Sequence, residues 1–197
     1  MPQTDDLPAL LGSIRACRQC EAHLPHGIRP IVQASRNARI VIIGQAPGSR
    51  VHATGVPWDD DSGDRLRGWL GIDKDLFYNE DKVALIPMGF CYPGKGNGGD
   101  LPPRPECAPL WHEPLLGQLP TLQITLLVGQ YAQKAYLPPN LRRSMTDAVR
   151  NFTSMPEGLF ALPHPAWRSR LWMGKHPWFE ADVLPVLRER VATAILE

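Results

Sequence analysis

Four cysteines form two pairs along the chain, and cysteine is the residue type here that most directly suggests a metal. Cys17 and Cys20 are separated by two residues, whereas Cys91 and Cys107 enclose a loop rich in proline and glycine. Sulfurs at the C-x2-C spacing converge closely enough to bind one ion or cluster. Zinc and an iron–sulfur cluster both accept four thiolates, and unrelated reduced thiols are the alternative. The spacing predicts a four-cysteine metal site but does not identify the metal.

Acid–base residues occur in two further places. Asp59, Asp60 and Asp61 follow Trp58, and His164 lies between two prolines. The aspartates either act chemically or simply favour the N-terminal end of a helix dipole. Trp58, next to a proline, is either a stacking platform or a loop anchor in the core. Prolines on both sides make a rigid, exposed turn around His164, which favours a functional role for this histidine.

The elements that would position these residues alternate between strand and helix. Apolar periodicity and β-branched runs predict helices at residues 7–17 (capped by Asp5 and Asp6), 62–70 and 177–195, and strands at residues 39–44, 83–88, 124–128 and 158–162. This order predicts a three-layer α/β/α sandwich around a mostly parallel, four-stranded sheet. Ligands of such folds bind at the carboxyl ends of the strands, where the loops at residues 45–48, 89–91 and 164–165 follow.

Composition excludes several classes of protein. The chain has 197 residues, of which 43% are hydrophobic and 21% charged, and its net charge is +1. These values predict a single domain over residues 1–197 without a membrane span, and any DNA affinity must come from a local patch. We expect no signal peptide, a cytoplasmic location with reduced thiols, a monomer, and no nucleotide cofactor.

Four motifs, in the correct order, resemble the uracil-DNA glycosylase superfamily. Ile43-Gly-Gln-Ala-Pro-Gly48 looks like its first signature, Gly55-Val-Pro-Trp58 with the following Ser62-Gly63-Asp64 is similar to the segment that opens a helix, and Pro163-His164-Pro165 matches the second signature. The cysteine spacing resembles that of the iron–sulfur branches, families four and five. The stretch at residues 176–180 resembles a bacterial, SMUG-like subgroup. The resemblance extends over about residues 10–187.

This resemblance implies a role for each matching residue. The implied ligands of a 4Fe–4S cluster are Cys17, Cys20, Cys91 and Cys107. The implied contacts to the flipped base and the DNA are Gly44, Gln45, Ala46, Pro47, Gly48, Trp58, Met88, Gly89, Arg168 and Arg170. Asp60 would support the sugar cation and His164 the departing base, while Leu171 or Trp172 would fill the vacated stack.

Two departures from the family pattern limit what the resemblance implies. Relatives carry a carboxylate in the first signature, where this chain has Gln45 and Ala46. Asp60 is therefore the expected catalytic carboxylate, with Asp59 and Asp61 as alternatives. Relatives also carry an asparagine that reads the uracil edge, where this chain has Pro87, and Asn97 is too displaced to replace it. Main-chain groups around Met88 and Gly89 would then read the base, or the preferred base is not uracil.

The expected function is that of a monofunctional DNA glycosylase in base excision repair, acting on DNA that contains uracil or another deaminated base. No lysine falls in a signature loop, so a Schiff-base lyase step is not expected. The alternatives are a non-catalytic DNA-damage-binding protein on the same fold, which the missing side chains favour, and a metal-bearing α/β hydrolase that acts on a small nucleoside.

Overall fold

A parallel sheet forms the centre of the protein in the computed structural model, which describes residues 6–196. The strands of the chain are β1 (Ile40–Ile43), β2 (Val83–Leu85), β3 (Lys95–Gly96), β4 (Gly99–Asp100), β5 (Ile124–Val128) and β6 (Leu159–Leu162). The central sheet has the order β2-β1-β5-β6 and all of its pairs are parallel. Strands β3 and β4 form a separate antiparallel ribbon.

Helices connect the strands. They are α1 (Leu7–Arg15), α2 (Ser49–Thr54), α3 (Asp61–Leu70), α4 (Lys74–Phe77), α5 (Cys107–Leu116), α6 (Gln130–Tyr136), α7 (Met145–Arg150), α8 (Ser169–Lys175) and α9 (Leu184–Leu196). Short 3-10 turns lie at Glu21–His23, Pro139–Leu141 and Phe152–Ser154, and a π-helical turn at Phe179–Val183 leads into α9. Within residues 6–196, no helix is long and apolar enough to cross a bilayer.

Strand β1 divides the core into two halves. Its alternate residues Ile40 and Ile42 pack in one cluster with side chains of α3 and α9, such as Leu66 and Leu187. Val41 and Ile43 pack in a second cluster with side chains of α1 and α5. Because successive side chains of a strand point to opposite faces, each face of the sheet carries its own helical layer. This arrangement confirms the predicted three-layer α/β/α fold.

The predicted boundaries differ from the observed ones at several element ends. Strand β2 ends at Leu85 rather than at residue 88, although the N–H groups of Ile86 and Met88 still donate to the carbonyls of Ile42 and Gly44. Helix α3 begins one residue earlier than predicted, since Asp60 caps it. Asp6 makes no side-chain cap bond to α1, and Asp5 lies outside the described residues.

Candidate active site

A pocket of about 570 Å³ opens at the carboxyl ends of the four parallel strands. Its walls include residues 44–48 after β1, Pro57, Trp58, Asp60 and Ser62 around the start of α3, residues 98–100 of the ribbon, Gln130 and Tyr131 at the start of α6, and His164, Ala166, Trp167 and Arg168 after β6. This is the edge at which open α/β sheets bind ligands. The volume is in the range of small-molecule sites.

Two glycines leave the space that Trp58 occupies. A side-chain carbon on Gly44 would lie 2.7 Å from the Trp58 ring, and one on Gly63 would lie 1.8 Å from the Trp58 carbonyl oxygen. The tryptophan itself has a φ of 58°, a conformation that non-glycine residues adopt rarely. Its ring packs against the core and also lines the pocket. Trp58 is therefore both a loop anchor and an available stacking surface.

The three neighbouring aspartates have different surroundings. Asp60 lines the pocket, and its Oδ1 accepts a hydrogen bond from the Gly63 N–H at 2.9 Å as the N-cap of α3. Asp59 is instead paired with Lys74 at 3.7 Å, and the exposed Asp61 with Arg50 at 3.5 Å. Of the three carboxylates, Asp60 is the one brought to the pocket.

His164 lies opposite this helix start, in the loop after β6. Its ring centroid is 5.9 Å from that of Trp58. Arg65 of α3 donates to the Pro165 carbonyl at 2.6 Å and ties the loop to the helix. Burial lowers the pKa of His164, while the negative charges of Asp60 and Asp100 act in the opposite direction. The imidazole is thus neutral at neutral pH and carries one N–H that can donate to an anion.

A family comparison agrees with this geometry. The sequence model described as "Uracil DNA glycosylase superfamily" matches residues 31–188, which is most of the 197-residue chain. The chain belongs to this superfamily. Members of the superfamily are N-glycosylases that act on DNA. The match contains every wall of the pocket and the second cysteine pair, and it begins after the first pair.

Pro87 stands where the resemblance implies an asparagine, and its carbonyl already has a hydrogen-bond partner. Pro87 lines the pocket, but its carbonyl accepts a hydrogen bond from His112 Nε2 at 3.0 Å. The N–H groups of Met88 and Gly89 donate to the carbonyls of Gly44 and Gln45, at 2.9 and 3.0 Å. Neither Met88 nor Gly89 is among the described residues that line the pocket. These two N–H groups extend the β1–β2 pairing, so reading of a base by main-chain groups here would fall to the carbonyls and stays a prediction.

The arginines and apolar residues after His164 form one side of the pocket mouth. Arg168 lines the pocket, donates to the Gly98 carbonyl at 3.1 Å, and lies 5.0 Å from the centre of the Trp167 ring. Arg170 lies on α8, outside the pocket wall as described. Trp167 and Leu171 are 65% and 68% exposed.

Trp172, the alternative to Leu171 as the residue that fills the stack, is turned inward. It packs against the core, and its Nε1 donates to Thr146 Oγ1 at 2.9 Å. Filling the vacated stack would break these contacts. Leu171 and Trp167, in contrast, are exposed.

Among the pocket residues that sequence reasoning missed are Asp100, Gln130, Tyr131 and Trp167. Asp100 follows Asn97-Gly-Gly99, a turn signal that could have predicted the ribbon. Gln130 and Tyr131 follow Gly129 at the end of a strand that was predicted correctly. The same rule that placed Gly44 and His164 at the strand ends applies to them.

All four cysteines line a second, apolar cavity. Its other walls include Ile14, Leu24, Phe90 and Trp111. Burial raises the pKa of the Cys107 thiol to about 12 and raises the pKa values of Cys20 and Cys91. Among the described residues, no group of three or more His, Cys, Asp or Glu side chains is arranged so that it could hold a metal ion. Four thiols on one cavity are a donor set that an iron–sulfur cluster or zinc would use.

Proposed function

We propose that this chain is a monofunctional DNA glycosylase that hydrolyses the N-glycosidic bond of a deaminated base in DNA, with uracil as the first candidate, in base excision repair. The observation that supports the proposal most strongly is the convergence of Trp58, Asp60 and His164 on one pocket at the strand ends. These residues offer a stacking surface, a carboxylate and a neutral donor. A base excision enzyme needs each of them around a flipped nucleotide.

The proposed mechanism uses these groups in turn. Trp58 stacks on the extruded base, and the C1′–N bond breaks with development of an oxocarbenium-like sugar. Asp60, held by the N–H of Gly63, supports the sugar cation. His164, neutral because burial lowers its pKa, donates to the departing base anion. Water is the nucleophile, and among the described residues that line the pocket there is no lysine for a Schiff base.

Polar side chains other than an asparagine must read the base. Gln45, Gln130 and Tyr131 line the pocket, and no described residue hydrogen-bonds to their side chains. An amide presents a donor and an acceptor, which matches the N–H and C=O edge that uracil shares with hypoxanthine and xanthine. The set therefore supports recognition of a deaminated base without a strict preference for uracil.

The DNA contacts follow from the pocket mouth. Arg168 and Arg170 would contact phosphates that flank the flipped nucleotide. Trp167 or Leu171, both largely exposed, would fill the space that the base leaves.

We further propose that Cys17, Cys20, Cys91 and Cys107 hold a 4Fe–4S cluster, as in the iron–sulfur branches of families four and five. The shared apolar cavity supports this assignment. Such a cluster would cross-link the N-terminal segment to the loop between the second pair. Chemical analysis for iron and sulfide, on protein purified without air, tests the assignment. We also propose that residues 176–180 form a SMUG-like motif. We propose a cytoplasmic location as well, because thiols stay reduced there.

A single-stranded oligonucleotide with one uracil, incubated with the protein and then treated with alkali, tests the glycosylase activity. We expect strand breaks with the wild type and none with His164→Ala or Asp60→Asn. Asparagine is a good N-cap, so Asp60→Asn removes the charge while the cap is retained. Asp73→Asn, at the equivalent cap of α4, is the matched control because it leaves the pocket unchanged.

The missing carboxylate at Gln45 and Ala46 favours a second candidate, a non-catalytic damage-binding protein. It predicts tight binding of uracil- or hypoxanthine-containing DNA with no strand breaks on any deaminated base. That result would refute the glycosylase proposal.

A further inference from the structure

The ribbon of β3 and β4 carries a carboxylate into the pocket. The ribbon lies between Cys91 and Cys107, and its last residue, Asp100, lines the pocket together with Gly98 and Gly99. Asp100 Oδ2 lies 3.3 Å from the position that a side-chain carbon on Gly48 would occupy. A residue remote from the first signature in sequence is thus adjacent to it in space.

Asp100 is weakly held by the protein. The Tyr92 hydroxyl donates to its Oδ1 at 3.4 Å. Lys95 is its partner across the ribbon, yet no ion pair between the two occurs within the described chain. No donor among residues 6–196 hydrogen-bonds to Oδ2 of Asp100, which can accept a hydrogen bond from water.

Asp60, unlike Asp100, is held firmly by the protein. One of its oxygens is fixed by the Gly63 N–H, so its charge is rigidly positioned. The charges of Asp60 and Asp100 each raise the pKa of His164 and so oppose the effect of burial. The lining of the pocket therefore contains a fixed carboxylate, a freer one and this histidine.

We propose that Asp100 is a second catalytic carboxylate, which accepts a proton from the attacking water and replaces the acidic residue that Gln45 and Ala46 do not supply. This inference depends on the proposed glycosylase function. The C1′–N bond breaks and its electron pair leaves with the base. The water oxygen bonds to C1′, and the water proton passes to Asp100 and then to solvent. The base anion, held by His164, takes its proton from solvent.

Single-turnover excision with saturating Asp100→Asn, Asp100→Glu and wild-type protein tests the role. General-base catalysis contributes roughly 10²–10⁴-fold, so we expect Asp100→Asn to lose about 100-fold or more in rate. Asp100→Glu keeps the carboxylate and should recover part of the rate. Asp75→Asn, an exposed substitution on α4 outside the pocket, should match the wild type.

DNA binding distinguishes catalysis from a structural role. Asp100→Asn removes a negative charge from the pocket mouth. The variant should therefore bind an abasic-site oligonucleotide at least as tightly as the wild type does. A rate within about threefold of an active wild type, or weakened binding with an unchanged single-turnover rate, overturns the role of Asp100 alone. An inactive wild type overturns the glycosylase function and this role with it.

Discussion

Two residues of the pocket have structural contacts in addition to the roles proposed for them. Asp60 caps α3 with one oxygen and lines the pocket, and Trp58 packs against the core while its ring faces His164. A side chain fixed by its structural contacts loses little further entropy when substrate binds. The sequence leaves two alternatives for Asp60, a helix cap or an acid, and two for Trp58, a loop anchor or a stacking platform. In neither case do the two alternatives exclude each other.

The stacking role of Trp58 predicts an effect that depends on the base. Stacking is worth about 1–3 kcal/mol, so Trp58→Leu should weaken binding of an oligonucleotide with a non-hydrolysable uracil nucleotide about tenfold or more. Binding of the same oligonucleotide with an abasic-site analogue should change little. Fluorescence anisotropy measures both affinities. An equal loss for the two ligands would indicate that Trp58 only shapes the loop.

His112 predicts a pH dependence of stability. Its Nδ1 accepts from the Tyr136 hydroxyl, its Nε2 donates to Pro87, and burial lowers its pKa. Below the ordinary histidine pKa of about 6.5, the unfolded chain binds a proton that the folded state resists. The free energy of unfolding should therefore fall as the pH drops from about 7.5 to about 5.5.

Urea denaturation at the two pH values measures this effect. The double variant His112→Phe/Tyr136→Phe removes the titrating group and its hydroxyl partner together. Its stability should depend less on pH than that of the wild type, since a histidine with a lowered pKa is removed while His164, whose pKa burial also lowers, is retained. If the stability of the double variant depends on pH as steeply as that of the wild type, His112 is not the source of the pH dependence.

At the scale of elements, the start of α3 and the end of β1 form one unit. Glycines at residues 44 and 63 let the Trp58 loop pass between strand and helix, and Arg65 joins the helix to the His164 loop. The first turn of α3 therefore forms part of the pocket wall, while Leu66, Trp69 and Leu70 later in the helix pack in the core.

Two glycines of α3 give opposite predictions for the same substitution. Gly63→Ala should destabilise the protein by about 1–3 kcal/mol, because the new carbon would meet the Trp58 carbonyl. Gly68→Ala should stabilise it by about 0.5–1 kcal/mol, because nothing lies within 4 Å of the new carbon and alanine is the better helix former. Thermal and urea unfolding measure both. Equal effects would show that the contact at Gly63 is relieved by movement of the loop.

At the scale of the whole molecule, charge is nearly balanced. A net charge of +1 gives little general attraction to DNA, so binding depends on the mouth of the pocket. The single domain over residues 1–197 and the monomeric state remain predictions.

Salt dependence tests where the phosphate contacts lie. Each lost phosphate contact reduces the slope of log affinity against log salt by about 0.7 for single strands. We expect that reduction for Arg168→Gln and for Arg170→Gln, and no change for Arg15→Gln on α1, outside the pocket. Titrations at several salt concentrations measure the slopes. An unchanged slope for Arg168→Gln would place the DNA elsewhere.

The sequence by itself determined the sheet, the strand-end loops and the family, because these depend on local patterns: β-branched runs such as residues 40–43, glycines after strands, and motifs read in order. It also marked Asp60 and His164. Only the tertiary structure separated Asp60 from Asp59 and Asp61, turned Trp172 inward, paired the N–H groups of Met88 and Gly89 with strand-end carbonyls, and brought Asp100 next to Gly48. Those outcomes depend on contacts between residues far apart in the chain, and no local pattern records such contacts.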